Sequence, residues 1–196
     1  DRALADLVSP DRRVIRIDTG TANGHPFVNA MGCGFDAELS WRFNQLQRRG
    51  LAAYALTTLK AYFSAPINRY CIRTGKIEKT FDALLVSVAN SSQYGNNALI
   101  APAARVDDGQ LDLAAVPRLG LGVFAFGARL FSGSSDRSSR THHMQQAEFT
   151  IERAQNGLIH TDGECHETSA IVQVKTVPLS LAVMLAPLAG NRGNSY

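Results

Sequence analysis

The sequence predicts a mainly β (α+β) fold, a β-sandwich-like domain that carries one helical insertion. Two observations lead to this prediction. Strand-like segments clearly outnumber helical ones, and they come in pairs joined by tight turns such as Asn23-Gly24 and Thr74-Gly75. The regular alternation of strand and helix that is typical of a doubly wound parallel sheet is missing. We therefore expect strands arranged mostly in antiparallel hairpins.

Each strand is predicted from a run of apolar or β-branched residues bounded by turn residues. The predicted strands cover residues 14–18, 26–31, 70–73, 80–89, 111–116, 146–152, 158–160, 170–177 and 179–185. A helical insertion over residues 38–63, in two pieces that break near Gly50, follows the second strand, and a short helix covers 119–130. Residues 90–97 form a polar loop, and 132–140 form a serine-rich, flexible loop.

The two ends of the chain differ from its middle in their pattern of apolar and polar residues. Residues 1–8 have the apolar spacing of a helix, which ends at Pro10, and the chain opens on Asp1 rather than on methionine. We interpret residues 1–12 as the remnant of a link from an upstream domain, 13–187 as one domain, and 188–196 as a frayed tail.

Composition excludes several classes of protein. The 196 residues are 45% hydrophobic and carry a net charge of +3, which is too mild for a nucleic-acid-binding surface. Three widely spaced cysteines, Cys33, Cys71 and Cys165, indicate neither a disulfide framework nor a zinc site. No apolar run reaches the roughly 20 residues of a membrane-spanning helix. We expect a cytoplasmic protein, and contact with the inner face of the membrane stays open.

Acidic residues concentrate in three turn motifs, namely Gly34-Phe35-Asp36, Asp107-Asp108-Gly109 and Asp162-Gly163-Glu164. A carboxylate near a strand end can bind Mg²⁺ or act as a general base. Taken singly, each motif is first of all a turn former. Asp36 also stands where it would cap the following helix.

The order of four motifs resembles the C-terminal half of the diacylglycerol kinase family, which includes bacterial lipid kinases and sphingosine kinases. The motifs are NAMGCGFDA at 29–37, NSSQYG with IAPAA at 90–104, DDGQLDL at 107–113 and DGE at 162–164. The resemblance covers residues 13–186 and implies the two-domain fold shared with NAD kinases. The GFDA and DGQLDL patterns suit lipid kinases better than the NAD kinase group.

The resemblance implies an ATP-dependent kinase that phosphorylates the hydroxyl of a diacylglycerol-like lipid. Family members have an upstream α/β domain whose GGDGT-type loop cradles the ATP phosphates, with Mg²⁺ accompanying the nucleotide. This sequence contains no GGDG loop, so we expect that loop upstream of Asp1 and expect the chain alone to be inactive. The lipid stays open among diacylglycerol, a monoacylglycerol, a sphingoid base and a polyprenyl alcohol. A homodimer is also left open.

The resemblance also assigns residues. Glu164 corresponds to the family's proton acceptor, with Asp162 and Asp36 in supporting roles. Asp108, together with the backbone carbonyls of Arg105 and Gln110, corresponds to a metal site that braces the loop.

The other polar candidates carry weaker signals. His160 and His166 flank the DGE turn, and ordinary surface histidines are the favoured interpretation. Asn90 is interpreted as a loop former. In the helical insertion the apolar residues, which most simply pack in the core but could line an acyl pocket or contact a bilayer, are Leu51, Tyr54, Ala55, Leu59 and Tyr62. The alternative function is a non-catalytic β-sandwich module that binds a lipid or another ligand.

Overall fold

The computed structural model of the chain describes residues 13–44, 58, 61–95 and 97–185. Within this part of the chain the strands are β1 (Arg13–Ala22), β2 (His25–Phe27), β3 (Ala30–Gly34), β4 (Asn68–Thr74), β5 (Ile77–Ala83), β6 (Leu85–Ala89), β7 (Gln93–Gly95), β8 (Ala98–Leu99), β9 (Leu111–Val116), β10 (His142–Gln146), β11 (Glu148–Arg153), β12 (Gly157–Thr161), β13 (Glu164–Thr168) and β14 (Ile171–Leu185). The helices are α1 (Phe35–Asn44), α2 (Gly122–Ser132) and a 3-10 turn at Ser135–Arg137.

The strands form two six-stranded antiparallel sheets. The first sheet has the order β2-β1-β14-β11-β4-β5, and the second has the order β10-β9-β6-β3-β12-β13. Strands β7 and β8 form a separate two-stranded ribbon. The predicted β-sandwich-like fold is confirmed.

The main core lies between the two sheets. Along β14, Val172 and Val174 are buried while Gln173 and Lys175 are exposed, as expected where successive side chains point to opposite faces of a sheet. The largest members of this core are Phe27, Tyr70, Phe149, Met31, Ile72, Leu111, Leu113, Ile151 and Ile159. Both sheets contribute to it, so neither sheet is stable in this form without the other.

Helices cover the outer face of the second sheet in two apolar clusters. In one cluster Phe126 of α2 packs with Ala30, Ala89, Ala114 and other aliphatic residues. In the other cluster α1 packs against helical residues 61–64. Tyr62 belongs to this second cluster, and its hydroxyl accepts a hydrogen bond from the Leu119 amide (2.9 Å). Tyr62 is therefore a core residue, whereas Leu51, Tyr54, Ala55 and Leu59 lie outside the described residues.

Several predicted boundaries are wrong. Strand β1 continues to Ala22 because a register shift between Ile17 and Thr19 absorbs the Thr19-Gly20 pair that was expected to end it. The two predicted final strands are one strand, β14, in which Leu179 adopts a positive φ of 47°. The helical insertion follows β3 rather than the second strand, and α1 begins at Phe35. Residues 1–12, 45–57 and 186–196 are not among those described.

No helix in the described part of the chain is long and apolar enough to span a membrane.

Candidate functional site

A buried polar cluster joins α1 to the outer face of the second sheet. The Nε2 atom of His160, on β12, lies 2.6 Å from the Asp36 carboxylate, and the Tyr94 hydroxyl donates to the same oxygen. His160 is 3% exposed, so it is not the surface residue that the sequence favoured. Asp36 lies inside the first turn of α1. The expected helix cap is therefore wrong, because the carboxylate is used by Tyr94 and His160 instead.

The glycine of the GxG motif allows this cluster to form. A Cβ atom on Gly32 would lie 2.0 Å from Oδ2 of Asp36 and 2.6 Å from Nε2 of His160. Gly34 has a φ of +79°, and a Cβ there would meet the Leu84 carbonyl oxygen at 2.6 Å. Both positions therefore exclude any larger residue.

Charge and burial act against each other in the Asp36–His160 pair. Burial by itself raises the pKa of the Asp36 carboxyl, but the His160 charge and the hydrogen bonds from His160 and Tyr94 bring that pKa below its ordinary value. Burial lowers the pKa of His160, and the adjacent Asp36 carboxylate more than reverses this effect, so the net pKa is raised. Each group therefore favours the charged form of the other.

The DGE turn is held by its aspartate. Asp162 adopts a φ of 50°, and its two carboxylate oxygens accept hydrogen bonds from the amides of Val28 (2.7 Å), Asn29 (2.9 Å) and Ala30 (2.9 Å). The Asp162 amide in turn donates to the Ala30 carbonyl (2.9 Å). This exchange fixes the β12–β13 hairpin against the segment that leads into β3, and it places Glu164 next to β2.

Glu164 lines a cleft between the edges of the two sheets. The cleft has a volume of about 320 Å³, and its walls are formed by Thr19, Pro26, Phe27, Val28, Thr161, Asp162 and Glu164. Among the described residues, none donates a hydrogen bond to the Glu164 carboxylate and none forms a salt bridge with it. An exposed carboxylate beside apolar residues such as Pro26 and Val28 can accept a proton from a bound hydroxyl group.

Asp36 and Glu164 lie on opposite faces of the second sheet. The Cys165 thiol points to the Ala37 carbonyl in α1 (3.6 Å). Because neighbouring residues of a strand point to opposite faces, Glu164 faces away from α1 and from Asp36. The two carboxylates therefore do not act on one bound atom in this conformation.

Two histidines join the edge strands β2 and β13. The rings of His25, on β2, and His166, on β13, stack with centroids 3.8 Å apart and an interplanar angle of 14°. His166 Nε2 also lies 2.9 Å from the Thr161 hydroxyl. Burial and the neighbouring His25 ring lower the pKa of His166. His160 and His166 do not meet, since they lie on opposite faces of the β12–β13 hairpin.

A buried aspartate that sequence reasoning missed anchors the DDG loop. Asp18, which is 1% exposed, accepts hydrogen bonds from the amides of Gly109 (2.7 Å) and Leu179 (2.7 Å). Its own amide donates to the Val106 carbonyl (2.6 Å). Asn90, which was expected to be a loop former, is fully buried and donates to the carbonyls of Asp18 and Val28 (both 2.8 Å).

The DDG loop brings two carboxylates close together. Asp108 accepts a hydrogen bond from the Gln110 amide (3.0 Å), and Gln145 Nε2 donates to both Asp108 (3.2 Å) and Asp112 (3.4 Å). Burial, followed by the negative charge of Asp108, raises the pKa of Asp112 to about 6. Arg105 turns its guanidinium to Asp107 (3.3 Å). No group of three or more His, Cys, Asp or Glu side chains placed to hold a metal ion occurs among the described residues.

Comparison with known proteins assigns the chain to a family. Residues 29–185 match the family described as the YegS C-terminal NAD kinase beta sandwich-like domain. The chain belongs to this family.

Relatives of this YegS-type domain carry lipid kinase names. A Pseudomonas aeruginosa protein named "Probable lipid kinase YegS-like" is 26% identical over 162 residues, which are 82% of this chain and 53% of that protein. A protein of the same name from Chromohalobacter salexigens is 33% identical over 113 residues, which are 56% of this chain and 35% of that protein. The chain thus spans about half the length, or less, of the curated relatives it matches.

Solved structures share the fold of the YegS-type domain. A Bacillus anthracis structure superimposes with a TM-score of 0.67 at 24% identity, over 87% of this chain and 56% of the other. A diacylglycerol kinase structure from the same organism gives a TM-score of 0.60 at 21% identity, over 87% of this chain and 53% of the other.

In this YegS-type domain the predicted site residues fall into three separate places. Glu164 and Asp162 share the cleft between the sheet edges, whereas Asp36 lies in the buried cluster beneath α1. Arg105, Asp108 and Gln110 lie in the DDG loop, which Asp18 anchors. Sequence reasoning did not find Asp18, Tyr94 or the buried state of His160.

Proposed function

We propose that this chain is the C-terminal domain of an ATP-dependent lipid kinase that phosphorylates a hydroxyl group of a diacylglycerol-like lipid. The observation that carries the proposal is the exposed carboxylate of Glu164 in a cleft that Pro26 and Val28 also line. Family membership and the lipid kinase names of the relatives support the same reaction class.

In the proposed reaction Glu164 is the general base. It accepts the proton of the lipid hydroxyl while the hydroxyl oxygen attacks the γ-phosphorus of ATP. Asp162 positions Glu164 through the backbone amides of the β2–β3 segment, and Pro26 and Val28 present apolar surface to the glycerol end of the acyl chains. ATP is bound by residues outside 1–196, so this chain by itself is expected to transfer no phosphate.

The DDG loop has the donor chemistry of a site for a hard divalent cation. Asp112 has a raised pKa because it is half-buried and faces Asp108, with only the neutral amide of Gln145 between them. A cation bound to Asp108 would relieve this repulsion, and carbonyl oxygens of Arg105 and Gln110 are suitable further ligands. In the proposal this ion would stiffen the loop, whereas Mg²⁺ that accompanies ATP would neutralise phosphate charge.

The proposal is tested with the full-length gene product, ATP and Mg²⁺ on a panel of lipids in detergent micelles. The panel holds diacylglycerol, a monoacylglycerol, a sphingoid base and a polyprenyl alcohol. We expect one of them to be phosphorylated, and Glu164→Gln to lower kcat by about 100-fold or more while leaving the melting temperature unchanged. The matched control is Glu167→Gln, which removes another exposed carboxylate from the same strand β13 and should retain activity.

Each contrary result removes a defined part of the proposal. A folded protein that phosphorylates no lipid would favour a binding module without catalysis. Full activity in Glu164→Gln would keep the kinase and remove Glu164 as its base.

A further inference from the structure

Helix α2 has an apolar face that the described fold does not cover. Phe126 and Leu130 point inward and pack on the second sheet. On the other side of the helix, Leu121, which is the N-cap, is 79% exposed, Phe124 is 62% exposed and Phe131 is 65% exposed. We call these three residues the outer α2 face.

The spacing of these residues makes them one continuous stripe. Leu121, Phe124 and Phe131 are separated by three and seven residues, and the exposed Ala128 fills the remaining turn between the two phenylalanines. At about 3.6 residues per turn these positions share one side of a helix. Two exposed phenylalanines and a leucine on one short helix are more apolar surface than scattered single residues, and such patches mark interaction sites.

The charges around the outer α2 face have one sign. Arg129, Arg137 and Arg140 are exposed, and none of them forms an ion pair with a described residue. Arg118, at the start of the same segment, donates to the carbonyls of Tyr62 (3.2 Å) and Phe63 (3.0 Å). Asp136 is the one acidic residue in the segment 117–140, which has four arginines. An anionic partner complements this surface.

The dimensions of α2 suit a membrane surface rather than a membrane span. The helix has 11 residues and is therefore about 16 Å long at 1.5 Å per residue, which is about half the thickness of the hydrocarbon core. A helix of this length with phenylalanines on one side and arginines beside them lies in the plane of the headgroups. We propose that the outer α2 face docks on the surface of a bilayer that contains anionic phospholipid.

This inference rests on the proposed function only for the role of the docking, which would hold the kinase at the membrane surface where its lipid substrate resides. Binding to the membrane and transfer of phosphate are measured separately. Lipid presented in detergent micelles reports on catalysis without a bilayer, and vesicle binding reports on docking without ATP.

The test is co-sedimentation of the full-length protein with vesicles of phosphatidylcholine alone or of phosphatidylcholine mixed with phosphatidylglycerol. We expect binding to the mixed vesicles that weakens as salt concentration rises. Phe124→Ser and Phe131→Ser should each weaken it by about tenfold or more, since each removes an aromatic side chain that the bilayer would bury. Arg129→Gln should weaken binding to the mixed vesicles by about fivefold and leave binding to neutral vesicles unchanged.

Controls separate docking from folding and from other occupants of the face. Ile77→Ser removes an apolar side chain that is 45% exposed on β5 of the first sheet, and should leave vesicle binding unchanged. All variants should retain micellar kinase activity. A wild-type protein that is active in micelles but binds no anionic vesicle overturns the proposal and leaves the kinase intact. If Phe124→Ser abolishes a dimer but still binds vesicles, the membrane-docking proposal is wrong and the outer α2 face binds a second copy of the chain.

Discussion

Gly32 on β3 and Asp36 on α1 approach so closely that any side chain at position 32 would displace the carboxylate, since an added Cβ would lie 2.0 Å from Oδ2 of Asp36. The same Cβ would meet the His160 ring. The glycine and the ion pair therefore depend on each other, and this dependence explains why a GxG sequence precedes the aspartate.

Gly32→Ala is expected to destabilise the domain by about 1 to 3 kcal/mol, because the added methyl group forces Asp36 and His160 apart. The measurement is urea-induced unfolding. The control is Gly127→Ala in α2, where an added Cβ meets nothing within 4 Å, and where alanine is expected to stabilise the helix by up to about 1 kcal/mol. Equal effects of the two substitutions would contradict the close packing at Gly32.

The Asp36–His160 ion pair should make stability depend on pH. The pKa of His160 is raised above its ordinary 6.5 in the folded state. The stabilisation from His160 is therefore complete below pH 6.5 and is lost as the pH rises through the folded-state pKa. The pKa of Asp36 is lowered from 3.8, so its contribution is present above that pH and is lost as the pH falls through its folded-state pKa.

We expect the free energy of unfolding to decline from about pH 6.5 upward, and to decline less in His160→Gln. Unfolding in urea at several pH values measures both slopes. His142→Gln, which removes an exposed histidine from β10, should keep the slope of the wild type. A wild-type stability that stays flat on the alkaline side would show that the pair is not ionised.

Asp18→Asn should cost about 2 to 4 kcal/mol of stability. Each carboxylate oxygen accepts an amide hydrogen bond, one from Gly109 and one from Leu179. An asparagine would present an NH₂ group to one of these donors in a buried position. The comparison is Asp82→Asn, which breaks an exposed ion pair with Arg69 (3.1 Å) and should cost less than about 1 kcal/mol. If Asp18→Asn and Asp82→Asn have similar melting temperatures, Asp18 does not anchor the DDG loop.

Asp162→Asn isolates the charge of the DGE aspartate, because asparagine tolerates the positive φ at this position. One of the three backbone amides would lose its acceptor, and we expect a loss of about 1 to 3 kcal/mol in stability together with lower kinase activity of the full-length protein. Thermal unfolding and kcat on the same preparation test both effects. The control is Asp107→Asn, which loses only the exposed contact with Arg105. If Asp162→Asn is as stable and as active as the wild type, the hydrogen bonds of Asp162 do not hold the DGE turn.

The strands and their hairpins could be predicted because local pattern determines them. Alternation in residues 146–152 predicts that Ala147, Phe149 and Ile151 share one face; Phe149 and Ile151 are buried, whereas Ala147 is exposed. The Asn23-Gly24 turn was predicted from turn chemistry and forms with positive φ at both residues. Strand β14 was predicted as two strands, 170–177 and 179–185. Pairing with β1 on both sides of Pro178 and the hydrogen bond from the Leu179 amide to Asp18 keep it continuous.

The site was only partly predictable, because its contacts join residues that are far apart in the chain. Asp36 meets His160 and Tyr94 across 124 and 58 positions. No local pattern marks such a meeting. Asp18 could have been suspected, because a lone acid after Ile15 and Ile17 interrupts an apolar strand. The assignment of Glu164 came from the order of motifs, and its place in the cleft depends on the β12–β13 pairing.

The order of strands in the first sheet has a consequence for biosynthesis. Strand β14, the last described strand, lies in the middle of that sheet and pairs with β1 on one side and β11 on the other. During translation the pair β1–β2 and the group β11-β4-β5 have no connection within the sheet until β14 emerges from the ribosome. We expect this domain to complete its folding only after the ribosome has released β14, with unpaired strand edges exposed until then.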